Sequence, residues 1–291
     1  MRANSLILLL LVFCCGTFSN VAAKAPVWKV SKGQEHLYLG GTIHVLSKSD
    51  YPLPESFDKA FDNSQQLVFE IDIAQMSDPM FAEQFKAVLT YQDEQTLKGA
   101  LSDDTYQMLQ SYLEQRSLAI ELFAKTKPVG VSLSLLVIEM QRLSLSSAQG
   151  VDQFYHQQAI KHAKQITALE TVQEQMSFIS QMGLGNEDAL IESTLQDLDG
   201  LEQSWPSMSS AWRSGDTNKL DALLVEEMQQ DFPEIYRLLL QQRNNSWMEK
   251  IIPMFATKEV EFILVGALHM VGDHGLLEQL AALGYTVEQL N

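Results

Sequence analysis

The chain has 291 residues, 46% of them hydrophobic, with 37 acidic against 20 basic side chains and a formal net charge of −17 at pH 7. That length suits one large domain or a core carrying an inserted domain, with enough apolar residues for a sizeable core. The carboxylate surplus, with no basic cluster anywhere, argues against nucleic acid as a partner, because phosphate contacts need Lys and Arg.

The first residues read as a secretory leader: Arg2, the apolar run Leu6 to Cys15, then Val21-Ala22-Ala23 before Lys24. Residues 1–23 are expected to be a cleaved signal peptide, which makes the protein periplasmic or secreted. An uncleaved anchor is the alternative, although the run is shorter than the roughly 20 residues a span requires. No stable membrane span is expected once the leader is gone. Both cysteines, Cys14 and Cys15, fall in this segment. The mature chain then has no disulfide, thiol nucleophile or Cys-based zinc site. Phe13 stands where a lipid-anchored Cys14 would need a small residue.

After the leader, Trp28-Lys29-Val30 and His36 to Leu39 read as a hairpin turning through Lys32-Gly33-Gln34-Glu35. The second strand runs into Gly41-Thr42-Ile43-His44. Pro54 opens a predicted helix through Phe61, and Leu67 to Ile73 reads as a strand. A long helical stretch follows. Ser102 caps one helix, Pro128 opens an apolar segment reaching Ile138, and Gly150-Val151-Asp152 opens another helix. Ile166 to Leu169 reads as a buried strand ending at Glu170. Asp216 caps a further helix, and Tyr236 to Ile252 reads as one more. Phe262 to Val265 is then a strand running into Gly266-Ala267-Leu268-His269, followed by a Gly-rich loop, a helix over Leu276 to Leu283 stopped by Gly284, and a last strand from Tyr285.

The pattern predicts an α/β fold. Its split mixed sheet core is built from two strand–GxxH–loop–helix–strand halves, with a long helical insertion between them. The core is expected over about 24–75 and 255–291, and the insertion over about 76–254, within one domain spanning 24–291.

Ligands of open α/β sheets bind beyond the carboxyl ends of the strands. His44 and His269 stand there, from opposite ends of the chain, and imidazole is both a common metal ligand and a common general base. Either histidine taken alone can instead be a core residue bonded to backbone. Glu70 lies in an apolar strand, where a carboxylate is costly unless paired or bound to a cation. Beside His44 it would complete a His/His/Glu set able to hold a divalent metal with positions open for water and substrate. A solvent-facing strand-end carboxylate is the alternative.

Arg243, on a predicted helix, can grip a substrate carboxylate or a developing oxyanion, or form a surface ion pair. Glu170 can face the same crevice or cap the next helix. Asp152 reads most simply as a helix N-terminal carboxylate. His36 starts a strand, His156 and His162 are six apart and share no helix face, and His274, in the loop after His269, can approach the site or stand solvated; the methionines read as core filling. HExxH, GxSxG and phosphate-cradling loops do not occur.

Taken together, several segments carry a resemblance. They are Gly41-Thr42-Ile43-His44-Val45, Glu70, Gly150-Val151-Asp152, Leu169-Glu170-Thr171, Arg243-Asn244 with Trp247, Val265-Gly266-Ala267-Leu268-His269, Gly272, Gly275-Leu276-Leu277 and Gly284-Tyr285. The chain resembles the TraB/GumN family of bacterial secreted proteins, related to the Tiki metalloproteases, over nearly all of its mature length. The resemblance implies the mixed α/β core shared with Tiki and erythromycin-esterase-like proteins, with the two GxxH motifs and Glu70 as the active site. It also implies peptide hydrolysis with a divalent metal such as manganese or cobalt. Leu268 departs from the commoner Gly-x-Gly-His wording.

The leading expectation is a secreted metal-dependent hydrolase, a peptidase. His44, Glu70 and His269 would hold manganese, cobalt or zinc, Arg243 would anchor the substrate or the oxyanion, and either glutamate is a candidate base. The alternatives are a non-catalytic binding protein for a peptide or polysaccharide fragment, and a metal-free esterase with His44 as base. In each case the partner is a peptide or other small secreted molecule.

Overall fold

The computed structural model describes residues 24–291, so the expected leader over 1–23, with both cysteines, lies outside the described residues. The strands are β1 (Val27–Lys32), β2 (Glu35–Thr42), β3 (Gln66–Phe69), β4 (Gln165–Ala168), β5 (Glu261–Gly266) and β6 (Thr286–Gln289). The longer helices are α1 (Glu55–Asp62), α2 (Pro79–Leu89), α3 (Asp103–Gln115), α4 (Pro128–Arg142) and α5 (Val151–Lys161). They continue with α6 (Val172–Gln181), α7 (Glu187–Arg213), α8 (Gln242–Met254) and α9 (Leu276–Ala282).

Gly33 takes φ 68°, a left-handed conformation that costs glycine little, and turns β1 back into β2. The second half of β2 is buried throughout. A strand flanked on both sides and covered on both faces needs a continuous apolar run rather than alternation. Phe262 to Val265 meets the same demand, and β5 lies parallel to β2 with Tyr38 opposite Phe262 and Thr42 opposite Gly266. β3 is parallel to β5 on its other side and to β4 beyond. The described residues thus form one mixed six-stranded sheet in the order β4-β3-β5-β2-β1-β6. The four parallel strands end along one edge: Thr42 is level with Gly266, and Phe69 with both Leu264 and Ala168.

Helices cover the sheet with aromatic side chains. Phe57 of α1 meets Tyr155 of α5, Trp212 of α7 and Phe262 of β5 at ring separations of 5.8, 6.3 and 6.3 Å. The Trp212 indole N–H donates to the Gly41 carbonyl at 2.8 Å inside this core. Trp212→Phe leaves that carbonyl unpaired, so it is expected to cost about 1–3 kcal/mol in denaturant unfolding. A second core, from Leu97, Leu109, Val131, Leu135, Ile191 and Leu195, joins α3, α4 and α7. None of the described helices is long and apolar enough to cross a membrane.

The structure departs from the sequence reading in three places. The strand expected over Leu67 to Ile73 stops at Phe69, and Asp72 accepts the Ala74 N–H at 3.1 Å to cap a 3₁₀ turn that follows. The period-two face shared by Val68, Glu70 and Asp72 therefore ends with the strand. The β4 strand forms the sheet edge, with Gln165 and Thr167 exposed, and only the following Leu169 is fully buried. The helix expected over Tyr236 to Ile252 is broken by a π-helical turn at Arg237–Gln241, just ahead of Arg243. Such turns are often found next to functional sites.

Candidate functional site

Each of the four parallel strands releases one polar side chain just past its end: His44 after β2, Glu70 after β3, Glu170 after β4 and His269 after β5. The β3–β4 ladder continues far enough for the Glu170 N–H to donate to the Glu70 carbonyl at 2.8 Å, which sets the two glutamates side by side.

His44 is held from the helical layer. The Val151 N–H donates to the Ile43 carbonyl at 3.1 Å, and Leu46 bridges to Ser146, so the N-terminus of α5 presses on the His44 loop. Gly150 permits this approach, because a Cβ at that position would overlap the His44 carbonyl oxygen. Gly150→Ala is expected to cost about 1–3 kcal/mol in thermal unfolding and to loosen the His44 ring, seen as a shifted imidazole NMR signal.

Asp152, in the first turn of α5, accepts from His44 Nδ1 at 2.8 Å and from the Thr42 hydroxyl at 2.8 Å. Because a carboxylate only accepts, Nδ1 carries the proton, and the neutral ring keeps its lone pair on Nε2. The His44 side chain is 60% exposed. Asp152 dominates its environment and pushes the imidazole up to about 9, against burial and helped by Glu70. Water over the exposed ring screens part of that pull.

The other four groups form a buried network. Arg243, on α8, donates through Nη2 to Glu70 Oε2 at 2.5 Å and to Glu170 Oε1 at 2.6 Å. Its Nε donates to Glu170 Oε2 at 3.1 Å, and its Nη1 donates to His269 Nε2 at 3.1 Å. Glu70 Oε1 accepts the Gly266 N–H at 2.7 Å. Burial, the largest single influence, would raise the Glu70 carboxyl, but Arg243, His269, His44 and the Gly266 N–H together outweigh it and hold the group well below the usual carboxylate range. Glu170 goes the other way: burial raises it, and Arg243 offsets this only in part. Two carboxylates sharing one guanidinium are thus pushed apart in acidity.

His269 stands in a 3₁₀ turn after β5 and donates from Nδ1 to Asn244 Oδ1 at 2.7 Å. The Asn244 amide in turn donates to the carbonyls of His269 and His274 at 3.1 and 2.8 Å. Burial is the largest cause that lowers His269, to about 3, which keeps the ring neutral. The Trp247 ring lies 4.3 Å from it and donates its N–H to Glu170 Oε2 at 3.2 Å.

The structure therefore brings together all five residues singled out from sequence: His44, Glu70, Glu170, Arg243 and His269. Of these, only His44 is open to water. Sequence reasoning gave Asp152 only a helix-terminal role and gave Thr42 none. Asn244 and Trp247 entered it only through the family resemblance. The one available signal was the resemblance itself, carried in part by Gly41-Thr42-Ile43-His44-Val45, Gly150-Val151-Asp152 and Arg243-Asn244 with Trp247. Outside the cluster, His36 packs edge-on to Tyr38, His156 to Phe69 and His162 to Phe61. His274 is taken up by Tyr236 and Gln241 at 2.7 and 2.8 Å, behind Asn244. A cavity of about 530 Å³, lined in part by Tyr91, Lys127 and Glu187, includes none of the cluster residues.

A divalent ion shared by His44, Glu70 and His269 would need the Nε2 lone pair of each imidazole and a free carboxylate oxygen. His269 Nε2 already spends its one lone pair on Arg243, whose guanidinium also engages Glu70 and would face the ion with a like charge. Among the described residues no three His, Cys, Asp or Glu side chains are arranged to hold a metal. As folded, the donor set does not fit the ion. Where the sequence reading placed a metal, the structure places a guanidinium.

Comparison with known proteins agrees with the resemblance. The uncharacterized protein YbaP of Escherichia coli K12 is 27% identical over 251 residues, covering 85% of this chain and 89% of that protein. YbaP of Shigella flexneri matches to the same extent. The metalloprotease TIKI2 of Danio rerio is 23% identical, over 86% of this chain and 58% of that protein. No solved structure matches. The sequence pattern of the TraB/PrgY/gumN family matches residues 26–289, and the chain belongs to that family.

Proposed function

We propose that this protein is a hydrolase of small peptide or ester substrates, secreted or periplasmic, with His44 as its general base. The supporting observation is the His44–Asp152 pair, which leaves Nε2 without a hydrogen bond among the described residues, on an exposed ring beside the buried Glu70–Arg243 ion pair. In this reading Nε2 takes a proton from water as the water oxygen bonds to the substrate carbonyl carbon. Asp152 holds the resulting imidazolium, with Glu70 Oε1 3.8 Å from Nε2. When the tetrahedral intermediate collapses, the bond to the leaving amine or alcohol breaks and His44 returns the proton to it. Arg243 fixes Glu70 beside that imidazolium, and its hydrogen bonds to both glutamates hold it in place. The strongly negative chain is not read as a nucleic-acid binder. Residues 24–291 are read as one domain in which the helical stretch is an insertion.

A second reading, a metal-dependent peptidase using manganese, cobalt or zinc, draws on the name of the zebrafish relative. The two separate in one assay, in which chains lacking the leader are screened on fluorogenic peptides and esters before and after chelation. Turnover that persists in chelator and is lost in His44→Ala supports the first reading. Turnover that needs added metal supports the second. Ligand binding without any product supports a binding protein.

The base must be neutral to act, so kcat/KM is expected to rise with pH. Its apparent pKa should lie above the ordinary 6.5 and no higher than about 9. Asp152→Asn removes the group that holds the proton and should move that pKa down.

A further inference from the structure

We infer that Arg243 occupies a latent divalent-metal site, and that removing its guanidinium opens that site to His44, Glu70 and His269. The guanidinium engages His269 Nε2 and Glu70 Oε2 at once, at 3.1 and 2.5 Å. The groups it holds are otherwise prepared for an ion. Both imidazoles are fixed through Nδ1, His44 by Asp152 and His269 by Asn244, so each presents Nε2. Such outer partners are what orients metal-bound histidines.

Glu70 Oε1 lies 3.8 Å from His44 Nε2 and 4.0 Å from His269 Nε2. Two ligands bound at about 2.1 Å to one ion lie about 3–3.4 Å apart, so each imidazole stands within about 1 Å of ligand spacing from Glu70 Oε1. Gly266 leaves the space open, because a Cβ there would sit 3.3 Å from both Glu70 Oε1 and His44 Nε2. One obstacle is the hydrogen bond on the His269 lone pair, and the other is the repulsion between a fixed guanidinium and a dication. Arg243 therefore does two things: it supplies the positive charge that two buried carboxylates require, and it keeps metal out.

This inference does not depend on the hydrolase reading, since its readout is metal binding, and a chain that hydrolyses nothing tests it equally well. Chelator-stripped wild type, Arg243→Ala and Arg243→Ala/His269→Ala are titrated with cobalt(II) and followed by visible absorption and calorimetry. Wild type should give no cobalt band. Arg243→Ala should bind one equivalent, at least about 100-fold tighter than wild type, because the like charge is gone. The double variant should lose that site. Added guanidinium ion should refill the vacated space and displace cobalt.

If Arg243→Ala is unfolded without metal, cobalt should restore its far-UV circular dichroism while leaving wild type unchanged. Three results would overturn the inference: stoichiometric cobalt binding by wild type, a folded Arg243→Ala that binds none, or an unfolded one that cobalt does not restore.

Discussion

His44→Ala is expected to lower kcat by about 10²–10⁴-fold, the usual contribution of a positioned general base. Far-UV circular dichroism should stay unchanged, because the His44 ring is 60% exposed and fills no core. Asp152→Asn should fall in the same range. Asparagine can offer its carbonyl oxygen to Nδ1–H, but it carries no charge to stabilise the imidazolium. Asp152 serves His44 through the 2.8 Å contact, so the two losses share one origin. His44→Ala/Asp152→Asn should therefore be little worse than His44→Ala alone. Additive losses, measured as kcat on one peptide or ester, would mean that Asp152 acts separately from the imidazole.

Arg243→Met is expected to be the most destabilising single change at the site, at about 3–5 kcal/mol in denaturant unfolding, because it strands two buried carboxylates. Glu70 and Glu170 are 7% and 6% exposed, and both lean on this one guanidinium at 2.5 and 2.6 Å. The methionine stem restores the volume but no charge. Adding Glu170→Gln removes one of the stranded charges and should recover part of the loss. Denaturant unfolding of the wild type and the two variants decides the matter. A fall under about 1 kcal/mol for Arg243→Met would place the ion pairs among the weak, solvent-screened kind.

Much of the site was legible because its parts are local patterns. An apolar run ending in Gly-x-x-His marks a strand with a polar group at its tip, and two such runs occur at opposite ends of the chain. Glu70 likewise stood out as a carboxylate within an apolar strand, and Glu170 as one at the end of another. The α/β class followed from strands alternating with helical periodicity, and the mixed sheet bears it out. Arg243 was harder to read, because a basic residue on a helix looks the same in sequence whether it faces water or two acids. Its burial depends on Glu70, 173 residues away, and on Glu170, 73 residues away. Asp152 is the plainest case: every local signal describes a helix-capping acid, and its partner lies 108 residues earlier.

By itself the sequence determined that His44, His269 and Glu170 follow strand ends, because strand periodicity and glycine placement act over a few residues, while it kept Glu70 inside a strand that ends at Phe69. Tertiary structure alone decided that α5 brings Asp152 to His44 and α8 brings Arg243 among the acids. A helix's facing residues are chosen by packing against a sheet assembled from both ends of the chain, and no local rule carries that distance.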